Sequence, residues 1–457
     1  MKISARRHEL LSILIMSIAT IFMYLGYDAQ VMISESVIHS ISSKNSSRIS
    51  PYAGYYGQAI HYVSFAGFSL VSSSVQYYLS SKVLLVTSSV LFSTYYLAFM
   101  YLNTYCFYFA QFVLGLAYAL YSTAEGTYMS EHSTSRTLES NSALETGIGH
   151  SSLLFGGVTM LMIFYYVPHK FDGHFVDFDE PTIRVIFGSL MALSIVSIVL
   201  FLILPTQQFD SIAIHSKRVT PSLGHQLKRM GKAFTHLNTI LLVVTFGHMG
   251  LMVSFVYGIL PTSMSFNSEL ASDIFLIPIY LLCSGSAAFT GAVVFRPIIK
   301  NLHKYKLVVP MAVHCVTMLI LMILVALTTP DRATIEPVQD VHVYLKPTRP
   351  LVCVTGFLMG MADFTITMSR TVICQIAVPE YRTEMLSITR IYQCSVAFIV
   401  LFLSPYLTLT YWLIILVVSL SAGIGTLAIV LYRTHSSAST APIEPLEEDQ
   451  EEKELPC

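Results

Sequence analysis

Residues 183–204 read IRVIFGSLMALSIVSIVLFLIL, a continuous apolar run in which Arg184 is the only charge. A helix of about 20 mostly apolar residues crosses the roughly 30 Å hydrocarbon core of a bilayer. Eleven further runs of similar length fill nearly all of the remaining chain, with short polar breaks between them. A β-barrel would instead show shorter segments of alternating polarity. The spacing therefore predicts an all-α polytopic membrane protein with twelve transmembrane helices.

The composition supports this class of protein. Hydrophobic residues make up 54% of the chain and charged residues only 12%, about half the charged share of soluble domains. Seven cysteines are scattered without a zinc-binding spacing, and no Walker loop, dinucleotide fingerprint or Ser-His-Asp order is present. We therefore expect no enzymatic activity, no cofactor, no metal site and no nucleic-acid partner; the bilayer is the expected environment.

The basic residues predict the orientation. The predicted spans are 10–33, 53–75, 83–101, 105–129, 141–167, 183–204, 238–262, 273–295, 307–328, 350–374, 386–405 and 410–432. With the N-terminus inside, seventeen Lys and Arg residues lie in cytoplasmic segments and seven on the opposite side, as the positive-inside rule requires. Both termini are then cytoplasmic, in the plasma membrane or an endolysosomal membrane. The sequon Asn45-Ser46-Ser47 falls in the first outer loop, so Asn45 is a candidate N-glycosylation site.

The longest cytoplasmic connection divides the chain into two parts. We predict an N-terminal six-helix bundle (1–204), a cytoplasmic linker (205–237), a C-terminal six-helix bundle (238–433) and a disordered acidic cytoplasmic tail (434–457). The linker is expected to be solvated, with contact to lipid headgroups as the alternative. Six plus six helices around a central linker is typical of two pseudo-repeats, the architecture of the major facilitator fold.

Spans four and ten carry a local match between the two parts. Gly115-Leu116-Ala117 corresponds to Gly360-Met361-Ala362 at an offset of 245 residues. If i is the residue that directly follows each triplet, residues i, i+4 and i+7 lie on one helix face. The two faces carry Tyr118, Ser122 and Glu125 in span four and Asp363, Thr367 and Arg370 in span ten.

Charges inside the spans predict a cavity and a gate, because a charge at the bilayer centre is costly and rarely faces lipid. Asp363 lies near mid-depth and is a candidate solute contact or proton-titrating group; the alternative is an interhelical hydrogen bond. Glu125 and Arg370 lie near the cytoplasmic end, and we hypothesise that they pair when that end is closed, or else extend separately into water. Asp28 is expected to face the cavity, and Glu35 to lie in water.

Four histidines lie within spans. Histidine can relay protons at mildly acidic pH, although a lone buried histidine more often packs with a hydrogen bond. His248 is the favoured cavity candidate because span seven borders the cavity in this fold; the other three are His61, His150 and His314.

Several local motifs resemble one family. Residues 122–126 (Ser-Thr-Ala-Glu-Gly), 131–133 (Glu-His-Ser), 141–142 (Asn-Ser) and 151–156 (Ser-Ser-Leu-Leu-Phe-Gly) resemble the Unc-ninety-three-like family of the major facilitator superfamily. Residues 360–363 (Gly-Met-Ala-Asp) resemble Gly-Leu-Gly-Asp in one branch of it. The resemblance implies a twelve-helix fold without enzymatic activity. Members are regulatory partners of potassium channels, trafficking companions of membrane receptors, or orphan carriers.

The chain departs from that family on its predicted cavity faces. The family's tryptophan before Thr-Ala-Gln-Gly is Ser122 here, and its glutamine is Glu125. His150 replaces a glutamine, and Arg370 stands where the branch has an apolar residue. The loops also lack the Gly-x-x-x-Asp-Arg signature of typical facilitators. Two functions therefore remain: a carrier of an unidentified small solute working by alternating access, or a regulatory or trafficking subunit of a partner channel or receptor.

Overall fold

The computed structural model describes residues 5–76, 78–134, 137–149, 151–167, 170–171, 176–207, 223–295, 307–338 and 343–440. These residues are almost entirely helical. In the N-terminal part the elements are α1 (Ala5–Lys44), α2 (Ala53–Val75), α3 (Ser81–Tyr95), α4 (Thr104–Glu131), α5 (Leu138–Gly149), α6 (Ser152–Tyr166), the antiparallel strands β1 (Lys170–Phe171) and β2 (Val176–Asp177), and α7 (Glu180–Leu202).

The C-terminal part follows a segment outside the described residues. Its helices are α8 (Leu223–Phe234), α9 (Leu237–Ser254), α10 (Leu260–Ser265), α11 (Ser268–Ala271), α12 (Leu276–Thr290), α13 (Val308–Thr328), α14 (Arg349–Ile376), α15 (Arg382–Leu403) and α16 (Leu409–Thr440). Short 3-10 turns cover Tyr96–Phe99, Asp331–Thr334, Pro379–Tyr381 and Ser404–Tyr406, and π turns cover Phe255–Ile259 and Gly291–Phe295.

Within the described ranges, ten helical segments are long and apolar enough to cross a membrane. They lie at ten of the predicted spans, and α2 and α12 lie at the other two. The helix α2 has 23 residues but is rich in serine, tyrosine and glycine, whereas α12 is apolar but only 15 residues long. The prediction of a helical multi-pass membrane protein is confirmed.

The first helix is much longer than its predicted span. It runs unbroken to Lys44, because nothing in residues 34–44 ends a helix. Glu35 is consequently buried, with 5% of its surface exposed, and its carboxylate lies against Gly54 at the start of α2. The prediction that Glu35 lies in water is wrong.

Three other predicted segments are divided or extended. The fifth span is two helices, α5 and α6, and residue 150, the predicted histidine, lies outside the described residues. In the seventh, the π turn Phe255–Ile259 separates α9 from α10. The last helix continues to Thr440, so residues 434–440 of the predicted disordered tail are helical, since each added residue gains a backbone hydrogen bond. Residues 441–457 are not described.

The linker contains a packed helix rather than only solvated chain. Residues 208–222 are not described, but α8 follows them and buries Met230 and Ala233 against Ile388 of α15 and Leu70 of α2. On its polar face Arg229 forms a salt bridge with Glu384, with 2.5 Å between Nε and Oε1. The helix thus lies between elements of both parts of the chain.

Close helix contact occurs where the sequence carries glycine. A Cβ atom on Gly157 would lie 2.7 Å from the backbone nitrogen of Leu282, and one on Gly285 would overlap the backbone of Leu154. The helices α6 and α12 therefore approach so closely that only hydrogen fits at these positions. Close approach at small residues is typical of helix packing in membranes.

Candidate functional site

The two ends of the bundle are named here by α1. The end at which α1 begins is called the inner end, and the end at which it reaches Lys44 is called the outer end.

Asp28 lies midway along α1 and is partly exposed despite its depth in the bundle. Its Oδ2 atom accepts a hydrogen bond of 2.8 Å from the hydroxyl of Ser152. Ser152 is the first residue of α6, so the break between α5 and α6 brings this hydroxyl to the carboxylate. Asp28 therefore faces the interior of the protein.

Asp363 lies on α14 and is also partly exposed. Its Oδ2 atom accepts a hydrogen bond of 2.9 Å from the hydroxyl of Tyr257. Tyr257 belongs to the π turn between α9 and α10, and such turns often redirect a side chain at functional sites. The turn thus supplies an interhelical hydrogen bond to the carboxylate that the sequence singles out.

The two carboxylates come from different parts of the chain. The charge of Asp363 acts on Asp28, and both charges act on the Tyr257 hydroxyl. The structure therefore places two of the predicted cavity residues within electrostatic range of the same tyrosine.

An aromatic cluster forms the adjoining wall, and Tyr118 is its centre. The centroid of the Tyr118 ring lies 5.4 Å from that of Tyr24, 5.1 Å from that of Tyr27 and 5.0 Å from that of His61. Phe92 approaches the same ring to 4.8 Å. Tyr24, Tyr27 and Asp28 are at i, i+3 and i+4 on α1, so the rings and the carboxylate share one helix face.

The helix face of α4 that carries Tyr118 continues toward the inner end. Ser122 and Glu125 are both half-exposed, and Glu125 accepts a hydrogen bond of 2.9 Å from the Tyr121 hydroxyl. Tyr121 is in turn hydrogen-bonded to Thr20 of α1 at 2.7 Å. Glu125 is therefore fixed within the N-terminal part of the chain.

The corresponding helix face of α14 carries a buried arginine at its inner end. Thr367 is half-exposed, one turn inward of Asp363, whereas Arg370 is only 8% exposed. The Arg370 Nη1 atom donates a hydrogen bond of 2.9 Å to Oε1 of Gln393 on α15. No salt bridge joins Arg370 to Glu125 in this structure, which describes both residues, so their pairing when the inner end is closed stays a prediction.

Two of the candidate histidines pair with each other in the C-terminal part. His248 is 3% exposed and His314 is fully buried, and their Nε2 atoms are 3.1 Å apart. The Nδ1 atom of His314 donates to the Ala362 carbonyl at 2.9 Å, and that of His248 is 2.9 Å from the Ser419 hydroxyl. The pair links α9, α13, α14 and α16 within the C-terminal part. His61 is also buried and packs in the aromatic cluster.

The outer end joins the two parts of the chain. The Tyr55 hydroxyl on α2 donates a hydrogen bond of 2.7 Å to the carbonyl of Thr334, and the rings of His39 and Phe266 have centroids 5.1 Å apart. Asn45 lies in the exposed loop after α1, where its side chain accepts a hydrogen bond of 2.7 Å from the Ser47 hydroxyl of the same sequon.

Two charged groups outside the membrane-spanning segments have shifted pKa values. Partial burial by itself raises the pKa of Asp331. Hydrogen bonds from the backbone and the hydroxyl of Thr410, each 2.7 Å, together lower the pKa by more than burial raises it, so the net pKa is below the ordinary value. The hydrogen bond to Glu384 raises the pKa of Arg229 above its ordinary value, with Coulombic attraction adding to it. Asp331 thus stabilises the first turn of α16 in its ionised form.

Sequence reasoning missed several residues around the carboxylates. Tyr257 and Ser152 depend on a π turn and a helix break, for which the sequence gives no signal. Gln393, the partner of Arg370, was detectable as a polar residue within span eleven. No group of three or more His, Cys, Asp or Glu side chains within the described residues is arranged to hold a metal ion.

Several solved structures that share this fold are of membrane transporters. The peptide transporter POT, in a mutant form in complex with sulfate, matches 95% of this chain and 99% of its own at a TM-score of 0.64 and 10% identity. The nucleoside transporter NupG matches 92% and 99% at a TM-score of 0.60 and 13% identity. The E. coli fucose:proton symporter FucP, also a mutant, matches 94% and 99% at 0.58 and 12% identity. At such low identity these likenesses establish the fold alone, which is of the major facilitator type.

The sequence itself has relatives over nearly its full length. It is 25% identical to the UNC93-like protein MFSD11 of Xenopus laevis over 438 residues, which cover 91% of this chain and 94% of the relative. The Xenopus tropicalis protein of that name is 25% identical over 442 residues, with the same coverage. A family model described as "Ion channel regulatory protein UNC-93" matches residues 45–430. The chain therefore belongs to the UNC-93 family, as its motifs at spans four, five and ten predict.

Proposed function

We propose that this protein is a carrier that moves a small solute across its membrane by alternating access. The observation that carries the proposal is the pair of only partly buried carboxylates, Asp28 and Asp363, within membrane-spanning helices and contributed by different parts of the chain. A charge at this depth is costly unless it faces a partner or a water-filled cavity. A site between two moving parts at mid-depth is what alternating access requires.

The contacts at the two ends support the same mechanism. At the outer end, the bond from Tyr55 to Thr334 holds the N- and C-terminal parts together. At the inner end, Glu125 and Arg370 are each bonded within their own part. This arrangement fits a carrier closed at its outer end, in which the predicted Glu125–Arg370 pair forms only when the inner end closes.

We also propose the number of membrane crossings, the repeat arrangement, the position of the termini and the membrane. Twelve crossings, with α2 and α12 added to the ten apolar segments, form two pseudo-repeats of six helices, 1–204 and 238–433. Both termini lie in the cytoplasm, and the protein resides in the plasma membrane or an endolysosomal membrane. The proposal assigns the protein no chemical reaction, and the family and the structural neighbours are channel regulators and transporters.

Reconstitution tests the carrier proposal. The purified full-length protein in liposomes is expected to give protein-dependent flux with a panel of labelled solutes, and Asp363→Asn is expected to abolish it. Glu336→Gln is the matched control, because Glu336 is 48% exposed in a surface ion pair with Arg332 and such pairs contribute little. Absence of flux and of any solute-induced thermal shift would overturn the carrier proposal.

A charge exchange tests the inner gate. Glu125→Arg and Arg370→Glu are each expected to reduce transport, because each leaves two like charges facing one another when the inner end closes. The double exchange should restore transport in part. If it recovers nothing that the single variants lose, the two residues do not pair.

The second candidate function is a regulatory or trafficking subunit of an ion channel or membrane receptor. The description of the family as ion channel regulatory proteins favours it, as does the absence of the facilitator loop signature from the sequence. Proximity labelling in native cells that recovers one channel or receptor in stoichiometric amount, together with no flux in liposomes, would support this function against the first.

A further inference from the structure

A buried pair of histidines has no part in the mechanism proposed above. The Nε2 atoms of His248 on α9 and His314 on α13 are 3.1 Å apart, and the two residues are 3% and 0% exposed. The other nitrogen of each ring also has a polar neighbour at 2.9 Å. For His314 it is the Ala362 carbonyl of α14, and for His248 it is the Ser419 hydroxyl of α16. The pair is thus the middle of one hydrogen-bonded chain across four helices.

The Ala362 carbonyl determines where the hydrogens of this chain lie. A carbonyl oxygen can only accept, so Nδ1 of His314 carries a hydrogen, and in a neutral ring Nε2 then carries none. Nε2 of His314 therefore accepts, and Nε2 of His248 must donate to it. When His248 is also neutral, its Nδ1 atom accepts a hydrogen bond from the Ser419 hydroxyl. All four ring nitrogens are satisfied in this neutral form.

The Ser419 hydroxyl has a second acceptor within reach. Its oxygen lies 3.0 Å from the carbonyl of Leu416, one turn earlier on α16, and a hydroxyl has one hydrogen to donate and lone pairs to accept. When that hydrogen turns to Leu416, the oxygen can accept a hydrogen from Nδ1 of His248. His248 is then an imidazolium, and no buried donor or acceptor of the chain is left unpaired. The pair can therefore take up one proton from solution by rotation of a single hydroxyl.

A second proton does not fit the same geometry. It would place hydrogens on both Nε2 atoms, which face each other at 3.1 Å. Two donors would then be opposed without an acceptor, and two like charges would be adjacent where little water screens them. The capacity of the pair is one proton.

The charged groups of the surrounding helices are not bonded to the pair. Among the described residues, the hydrogen-bond partners of the two rings are each other, Ala362 and Ser419, and α9 and α13 contain no Asp, Glu, Lys or Arg. The helices packed along them are α14, α15 and α16, whose charged residues are Arg349, Asp363, Arg370, Arg382, Glu384, Arg390 and Arg433. Because a buried charge without a bonded counter-ion is costly, we expect the pair to be neutral at neutral pH and to take up its proton in acid.

The hydrogen-bonded chain ends beside the candidate site. Ala362 directly precedes Asp363 on α14, and α9 continues from His248 into the π turn that carries Tyr257, the donor to Asp363. The same two segments therefore meet at the histidine pair and again at the bond between Tyr257 and Asp363. A charge added at the pair changes the contact between these segments.

We propose that His248, His314 and Ser419 form a binding site for one proton, and that occupancy of this site regulates transport. The regulatory effect rests on the proposed carrier function, whereas the proton site itself does not. In the neutral form Ser419 donates to His248; in the protonated form Ser419 accepts from His248 and donates to Leu416.

Solid-state NMR of nitrogen-15-labelled histidine counts the protons on the pair. The full-length protein in liposomes is measured from about pH 8 to about pH 4.5, on either side of the ordinary histidine pKa, since ring nitrogens with and without a hydrogen resonate separately. Subtracting the spectra of the double variant His248→Gln/His314→Gln leaves the four nitrogens of the pair. Two of them should lack a hydrogen at the alkaline end and only one at the acid end. Two throughout the range, or none in acid, would overturn the inference.

The substitution Ser419→Ala tests the hydroxyl while it keeps both histidines. It removes the acceptor for the added proton, so the pair should bind the proton about tenfold more weakly, which moves the midpoint by about one pH unit. Ser421→Ala is the matched control, because that exposed hydroxyl on the same helix donates to the Val417 carbonyl at 2.9 Å; its midpoint should equal that of the wild type. An unchanged midpoint in Ser419→Ala would overturn the assignment of the site.

Solute uptake tests the regulatory effect. With equal pH on both sides of the liposome membrane, uptake should change about fivefold or more through the midpoint found by NMR, the lower end of typical coupling between sites. The double variant should lack this change. Equal pH dependence in both proteins would overturn the regulatory inference and leave the carrier function standing. Absence of flux with every solute at every pH would overturn the carrier proposal, and the count of ring hydrogens would then decide the proton site alone.

Discussion

The outer closure gives the sharpest quantitative prediction, through the substitution Tyr55→Phe. The Tyr55 hydroxyl donates to the Thr334 carbonyl across the two parts of the chain, and Tyr55 is 1% exposed, so water cannot replace the lost donor while the outer end is closed. A neutral hydrogen bond contributes about 1 kcal/mol net, and an orphaned buried acceptor costs about 1–3 kcal/mol. The equilibrium should therefore shift by about 1–3 kcal/mol, which is about 5- to 150-fold, toward the outer-open state.

Cysteine accessibility measures this shift. Gln58 is 9% exposed and its amide lies against Gly258 of the C-terminal part, so a Gln58→Cys thiol should react with a maleimide only when the outer end opens. The rate is followed by peptide mass spectrometry on purified protein in detergent, where the reagent reaches both ends. Adding Tyr55→Phe should raise the labelling rate about 5- to 150-fold.

A matched control is Tyr101→Phe at the same end. Tyr101 is 63% exposed and contacts Arg48 within the N-terminal part. Removing its hydroxyl therefore removes only contacts with water. The reasoning is refuted if Tyr55→Phe leaves the labelling rate within about twofold of the parent, or if Tyr101→Phe accelerates labelling equally.

Three further predictions concern packing, capping and modification. Gly285→Ala should destabilise the protein by about 1–3 kcal/mol, since its Cβ overlaps the backbone of Leu154; the melting temperature measures this. Asp331→Ala should cost about 1 kcal/mol at neutral pH by removing the acceptor for Thr410. Because the folded-state pKa of Asp331 is lowered, that stabilisation is present above the ordinary aspartate pKa of about 3.9 and is lost as the pH falls through the folded pKa, so the two melting temperatures should converge there. Asn45→Gln should increase gel mobility of the protein from glycosylating cells and abolish the mobility change that a glycosidase causes in the wild type.

Each of these has a comparison that would contradict it. Gly188→Ala, with nothing within 4 Å of its added Cβ, should melt like the wild type; equal melting of the Gly285 variant would show that α6 and α12 are not in close contact. A melting difference at Asp331 that is constant across acid pH would rule out its ionised role. Identical mobility of wild type and Asn45→Gln, before and after glycosidase, would remove that site.

Much of the architecture was predictable because the hydrophobic effect acts on local composition. A stretch such as 183–204 partitions into lipid whatever its neighbours do, and within the described residues ten helical segments that could cross a membrane lie at predicted spans. The placing of Asp363 and Arg370 on one helix face was equally predictable, because it follows from helical periodicity alone. Helix ends were less predictable, as α1 shows, since Glu35 is buried by the packing of α2 against it.

The sequence by itself determined that this chain is a multi-pass membrane protein and that Asp28 and Asp363 lie within its spans, since both follow from residue types over short windows. Only the tertiary structure decided that Ser152 donates to Asp28, that a π turn brings Tyr257 to Asp363, and that His248 pairs with His314. The physical reason is that electrostatic and hydrogen-bonding partners depend on distances between helices remote in sequence, and those distances are set by how glycine-rich helix faces pack.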